Sequence, residues 1–558
     1  MSLHDLSDLL GSDAVVSLAS PSVVTPPGAS AVASGGVSHD GSKITDNLAL
    51  WSPPLRSADA DILPEKGTLD ARSRNLALND SYIASGMDFA RDSIVGAQYR
   101  LSPQPETKVL WGAEDETWEA EYQEEVSIKF SLWAESRRKW ADASRRQTLT
   151  GLVRLAMSQY MMTGEVLATG EWFDPARFNR PYGSCIQMID PDRLSDPGLN
   201  YDRSRRIRRG VERTSSGMPI AYWIRNGHPS DLRFADPDLS RAMTWTRVAR
   251  EKPWGRPMVL HAFDQDRADQ SRAVSPLAVA LQEMRMLKHF RITELQRAVI
   301  ASTYAASLES EFPTDIATIM GNNVEDSDYF QAYMGKIAEW MAAANGIHMD
   351  GAKIPTFPTG VKLKIQNPGA ESPMGDKFEQ SALRNIAAAL NMSYEELSRD
   401  YTQTNYSSAR AAFGQTQKSL SVKKAMIADE TANFVYWLWL EEAINNNEIE
   451  ALKRRNVPNF YDRQNAEAYT KCEWIGAGQG QIDPLKETQA ALLRVKAGFS
   501  TKETEIAKLS GQDYRVVARQ IKRERELDAY YDNPSVYDQN SQDMQNSLSA
   551  TPRDGGNA

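Results

Sequence analysis

Cysteine is nearly absent from this chain. Its 558 residues hold two, Cys185 and Cys472, far apart in sequence. That excludes a disulfide framework and fits a reducing compartment. Histidine is also scarce. The six histidines are scattered, with no HxxxH or CxxC pair, so no metal-site spacing is present. No run approaches the roughly 18 apolar residues that cross a bilayer. The first residues, MSLHDLSDLL, are acidic where a secretory signal is basic. The expectation is a protein kept in the cytosol or assembled into a particle there. Excess positive charge is missing too. A net charge of -10 argues against tight, general wrapping of DNA, but not against a surface past which DNA slides.

Catalytic signatures are equally thin. There is no Gly-x-Ser-x-Gly elbow for a hydrolase nucleophile. The best glycine-rich stretch, Gly476-Ala477-Gly478-Gln479-Gly480, lacks the Lys-Ser/Thr ending of a phosphate loop and reads as a flexible turn. Asp190-Pro191-Asp192 and Asp264-Gln265-Asp266 have the carboxylates a magnesium nuclease needs. Both sit in turn-like sequence, where Asp serves side chain-to-backbone hydrogen bonds. His228 and His261 read as structural.

What is present is a long chain with an ordinary 41% of apolar residues, enough for three or four domains. Residues 1–47 are rich in Ser, Ala, Gly and Val, and the first aromatic residue is Trp51. Such a segment buries too little to offset its ordering entropy and is expected to be disordered, as is 533–558. Between them the pattern is mostly helical. Asn79-Asp80-Ser81 supplies caps before an apolar stripe, and a strand is expected over 95–101. Helical spacing continues over 117–143 and 146–164. From 165 to 263 short alternating runs are broken by Pro and Gly, the pattern of a β-rich insert. Ser275-Pro276 then starts a helix expected to reach about Glu309. A helical segment over 329–345 and a strand pair around Ile354 and 361–365 follow. Further helices are expected over 377–390, 407–446, 483–498, 501–509 and 514–529.

Two features invite a functional reading. Arg203, Arg205, Arg206, Arg208, Arg209 and Arg213 form the densest basic run, inside the β-rich insert. The bland reading is a solvated hairpin; the functional one is a contact with DNA phosphate or an acidic partner. Phe434, Tyr436, Trp437 and Trp439 resemble a stacking platform in composition. They alternate with Val435, Leu438 and Leu440 in a helical context, which reads as core packing.

Three strings, in order, carry a family likeness: NDSYIASGMDFARDSIVGAQYRLSP over 79–103, Val259-Leu260-His261-Ala262-Phe263 with Val274-Ser275-Pro276-Leu277, and Trp474-Ile475-Gly476 through Gly480-Gln481-Ile482-Asp483-Pro484-Leu485-Lys486-Glu487. Together they resemble the lambda family of tailed-bacteriophage portal proteins. The resemblance implies a predominantly helical α+β fold with wing, stem helices, β-containing clip and crown. It implies a ring, usually a dodecamer, at one capsid vertex, through which double-stranded DNA is packaged and ejected. It implies no enzyme activity, metal or cofactor.

Laid onto that plan, 48–145 and 311–461 are wing, 146–164 and 264–310 stem helices, 165–263 clip and 462–532 crown. A tunnel loop near 366–376 offers Gln366, Asn367, Glu371, Asp376 and Lys377 as channel candidates. The partners implied are other copies of the chain, the terminase large subunit, head–tail connector proteins, and the major capsid protein or scaffold, without a membrane. The expected place is the virion, after assembly in host cytoplasm. The alternatives are a terminase-like packaging ATPase and another structural virion protein.

Overall fold

A computed structural model describes residues 50–197, 206–233, 239–303, 307–310, 335, 339, 361–364, 375–402, 404–453, 457–462, 464–478, 480, 483–533 and 537. The chain enters through a helical hairpin, α1 (Lys66–Asn79) and α2 (Ser81–Ile94). Asp80 caps α2, its carboxylate accepting from the backbone N–H of Tyr82 and Ile83 at 3.0 and 3.2 Å. The expected strand is shorter and later: β1 (Arg100–Pro103) pairs antiparallel with a strand from far along the chain, placing Leu101 opposite Trp474.

Helix α3 (Glu116–Ala134) buries Trp118, Tyr122, Val126, Phe130 and Trp133 on one stripe. It stops nine residues short of the expected 143. Further on, the Asp142 carboxylate accepts from the backbone N–H of Ser144, Arg146 and Gln147 at 2.8–2.9 Å, which favours turns over helix there. Thr148 then caps α4 (Leu149–Thr163), with Leu152, Val153, Ala156, Met157 and Met161 buried.

The β-rich insert is two sheets rather than one domain. β2 (Glu165–Trp172), β3 (Ser184–Ile189) and β8 (Val259–Phe263) form a three-stranded antiparallel sheet in the order β3-β2-β8. Val166, Ala168, Ile186 and Leu260 share the main hydrophobic core with α4. This sheet therefore belongs to the body. The other four strands, β4 (Arg206–Arg208), β5 (Val211–Arg213), β6 (Pro219–Arg225) and β7 (Trp245–Ala249), make a meander. Its small core of Leu194, Val211, Tyr222 and Ile224 closes against Leu167, Ile189 and Val259 of the first sheet. The meander thus packs on a sheet of the body, and α4 is buried in the main core.

Ser275 caps a 3₁₀ turn (Pro276–Ala280) that leads into α5 (Leu281–Thr303). At about 1.5 Å per residue α5 runs about 35 Å. It does not continue to Glu309. Ser307–Ser310 forms β9, antiparallel to β10 (Val361–Lys364), with Leu308 opposite Leu363. The expected strand near Ile354 lies outside the described residues. Of 329–345 only 335 and 339 are described, both helical. Helix α6 (Gly375–Ala389) packs back on α5, with Phe290 and Phe378 ring centroids 4.9 Å apart and Arg291 3.4 Å from Glu379.

Helix α7 (Tyr406–Lys423) passes through a π-helical turn (Lys424–Asp429) into α8 (Glu430–Asn445). The aromatics of α8 are core, as their spacing implied. Phe130 meets Tyr436 and Trp439 edge-on at 5.4 and 5.2 Å. β11 (Cys472–Ile475) completes the pair with β1. The glycine-rich stretch after it is packed rather than loose, because a Cβ on Gly476 would lie 2.2 Å from the Ile94 carbonyl oxygen. Three helices end the body: α9 (Pro484–Lys496), α10 (Lys502–Ser510) and α11 (Tyr514–Tyr530), capped by Asp483, Thr501 and Asp513.

Candidate functional site: a basic hairpin on a buried ionic node

The basic run folds into the β4–β5 hairpin. Arg208 pairs with Val211, leaving Arg209 and Gly210 as a two-residue turn, with φ of +47° and +88°. Positive φ at both positions is the type I′ pattern that matches strand twist. Strand alternation puts Arg206 and Arg208 on one face, and both are exposed. The other two arginines are used internally. Arg209 donates to the Leu63 carbonyl at 2.8 and 3.2 Å. Arg213 pairs with Asp59 at 3.1 Å and donates to the Asp269 carbonyl at 3.0 Å. Arg203 and Arg205 lie outside the described residues. The six-arginine patch thus resolves, where described, into two outward cations and two anchors.

The hairpin is fastened to the body by a charged cluster that composition does not reveal. Glu165 opens β2 and is fully buried. Arg272 donates to its carboxylate through Nε and Nη2, Lys66 lies 3.2 Å away, and His261 Nε2 lies 3.1 Å away. Arg272 also donates to the carbonyls of Pro191, Leu194 and Arg209 at 2.8–3.0 Å. It thereby joins the body to the segment that carries the hairpin. Lys66 adds bonds to the Thr163 and Ala273 carbonyls and pairs with Asp70 at 3.0 Å.

Burial alone would raise the Glu165 carboxyl, but Arg272 and Lys66 hold it well below its ordinary range. Burial pushes Asp70 up to about 6, with Lys66 opposing. Burial lowers the His261 imidazole, against the pull of Glu165, so it sits neutral beside two cations and two carboxyls. Every strong donor faces an acceptor, and the cluster is a clamp rather than a reacting centre.

Asp190, Asp192 and His228 converge, with potential ligand atoms all within 4.8 Å. Arg74 occupies the place of a cation there. Its guanidinium donates to Asp192 and, at 3.0 Å, to Asp190. Asp264 and Asp266 belong to a turn closed by Gln270, whose Oε1 accepts from the N–H of Asp266 and Arg267 at 3.1 Å. Cys185 and Cys472 are free, and burial pushes both thiols up to about 12, which makes them poor nucleophiles. Of the channel candidates, Gln366, Asn367 and Glu371 lie outside the described residues. Asp376 and Lys377 fall in the first turn of α6, where Lys377 is exposed.

Lys66, Asp70, Glu165 and Arg272 escaped the sequence reading. One signal was available: Glu165 begins a strand whose next residues, Val166-Leu167-Ala168, are all apolar. A carboxylate at the head of such a run needs a buried cation.

The family model described as "Phage portal protein, lambda family" matches residues 45–423. The chain is 32% identical to "Portal protein B" of Escherichia phage lambda over 509 residues, covering 90% of this chain and 92% of that protein. It is 32% identical over 523 residues to "Portal protein" of Escherichia phage N15, covering 93% and 95%. Among solved structures, a chain from the neck of an empty GTA particle matches with a TM-score of 0.44 at 12% identity, over 80% of this chain and 94% of that one.

Proposed function

The chain belongs to the lambda family of phage portal proteins, and from that premise we propose that its copies close into a ring, a dodecamer, at one vertex of the capsid. It is a structural virion subunit, not an enzyme. Double-stranded DNA passes through the ring during packaging and ejection. The terminase large subunit and later the head–tail connector proteins dock on it, and the major capsid protein or scaffold surrounds it. The near full-length likeness to "Portal protein B" carries this reading.

The physical requirements agree with it. A conduit must hold DNA without gripping it, because dense phosphate neutralisation would create deep wells along the path. A subunit with a net charge of -10 supplies a mostly repulsive wall. Glu371 and Asp376 suit that role, and Lys377 suits a weak contact, alongside Gln366 and Asn367. We assign the stem to α5 paired with α6, since Phe290 and Phe378 bring the two helices together and the β9–β10 pair lies between them in sequence. The exposed pair Arg206 and Arg208 offers a docking point for an acidic partner or DNA phosphate.

Electron microscopy of the purified protein in negative stain tests the ring. Flat rings with a central hole are expected. Monomers, tubes or closed shells would overturn it.

A further inference from the structure

The last three helices bury almost nothing within one chain. The buried side chains are Ala491 in α9 and Glu505 in α10, with none in α11. Helices this short are marginal without an apolar face packed on something. Helix α11 meets α3 where Arg519 pairs with Glu124 at 3.1 Å. There Arg515, Val516, Arg519 and Arg523 form one wall of a cleft of about 450 Å³, and Ile128 and Leu132 of α3 form the other. Leu132 is 72% exposed. Nη1 of Arg515 is buried and has no hydrogen-bond partner. The cleft is thus part apolar and part basic, with four arginines on its lining, Arg100, Arg515, Arg519 and Arg523, against two carboxylates, Glu135 and Asp513.

The far end of the same helix has the opposite character. Leu527, Tyr530 and Tyr531 are exposed, Tyr530 to 80%. Glu526, Asp528 and Asp532 stand among them. Arg519 and Tyr530 are eleven residues apart on one helix, about 16 Å at the standard rise, so the tip cannot fold into its own cleft.

We propose that the tip of α11 in one copy docks into the α3–α11 cleft of a second copy. The two surfaces differ, so the contact is head-to-tail and repeats from subunit to subunit, the kind of interface that closes into a ring. Tyr530 and Leu527 cover Ile128, Leu132 and Val516, while the tip carboxylates face Arg515 and Arg523. This inference rests on the ring reading above and names one surface that builds the ring.

The test uses the full chain with exposed-site variants: Asp528→Lys, Arg523→Glu, the two combined, and Tyr530→Ala. Sedimentation velocity over a concentration series reads the concentration of half-assembly, and circular dichroism checks that each variant keeps its helices. Each single charge reversal and Tyr530→Ala should raise that concentration about tenfold or more, and the combined reversal should recover most of the loss. If the wild type forms rings and the single variants assemble as well as it does, the docking is overturned while the ring stands. The same holds if the combined reversal is no better than either single. A wild type that stays monomeric at every concentration sinks the ring reading itself.

Discussion

Arg272 donates through Nε to both carboxylate oxygens of Glu165, at 3.0 and 2.9 Å, in a part of the core where both residues are buried. The same guanidinium holds the carbonyls of Pro191, Leu194 and Arg209. Removing it leaves the buried carboxylate to Lys66 and His261 and deprives three carbonyls of a donor at once. Arg272→Ala should cost about 3–5 kcal/mol, the range for breaking a buried pair from one side. Urea unfolding of the purified subunit measures this. A loss under about 1 kcal/mol would show that the clamp does not hold the lobe.

Asp70 gives the same cluster a pH dependence of defined sign. Burial raises its carboxyl from 3.8 to about 6. The folded chain therefore binds this proton more tightly than the unfolded chain. The stabilisation it brings is complete below about pH 4 and is lost as pH rises through about 6. Asp70→Asn should remove that slope and raise stability at pH 7 by an amount on the order of 1–2 kcal/mol. Glu165 acts in the opposite sense. Its carboxyl lies well below 4.5, so its contribution is present above 4.5 and fades as pH falls further. Melting temperatures of both proteins between pH 4 and 8 decide it. Parallel curves would rule out the assignment to Asp70.

The hairpin arginines should separate into two classes. Arg206 and Arg208 face solvent, so Arg206→Glu with Arg208→Glu should change stability by less than about 0.5 kcal/mol while weakening DNA packaging. Arg213 pairs with Asp59, which is itself buried and accepts from Ser271 at 2.8 Å. Arg213→Ala should cost about 1–3 kcal/mol. Packaging that survives the double reversal unchanged removes the hairpin from the partner surface.

The contrast between these arginines also shows what sequence could convey. Six arginines in eleven positions announce a basic patch. Whether each one points outward or back to Leu63 and Asp59 depends on residues about 150 positions away. Local signals were readable where the cause is local: the Asp80 and Ser275 caps, the aromatic stripe of α3, the Pro484 helix start. The end of α5 was not, because Leu308 is held by pairing with Leu363 across more than fifty residues. The clamp was hidden for the same reason. Lys66, Glu165 and Arg272 come from three distant segments, and each alone looks like an ordinary surface charge.

Gly164 tests how tightly those segments meet. It ends α4 with φ of +80° and delivers the chain to Glu165. A Cβ there would stand 2.1 Å from the carbonyl oxygen of Val274. Val274 follows Ala273, whose carbonyl accepts from Lys66, and Arg272 precedes both. Relief of the clash therefore has to move the backbone that aims the clamp. Gly112 is the matched control. It has φ of +75°, ends the short helix Thr107–Trp111, and its Cβ would meet nothing within 4 Å. Gly112→Ala should cost only the left-handed backbone term, about 1 kcal/mol. Gly164→Ala carries that term plus displacement of packed backbone and should cost about 3 kcal/mol or more. Unfolding midpoints of the two variants, compared in one buffer, isolate the steric part. Equal losses would mean that the α4–β2 corner yields freely, and that the ionic clamp tolerates the shift.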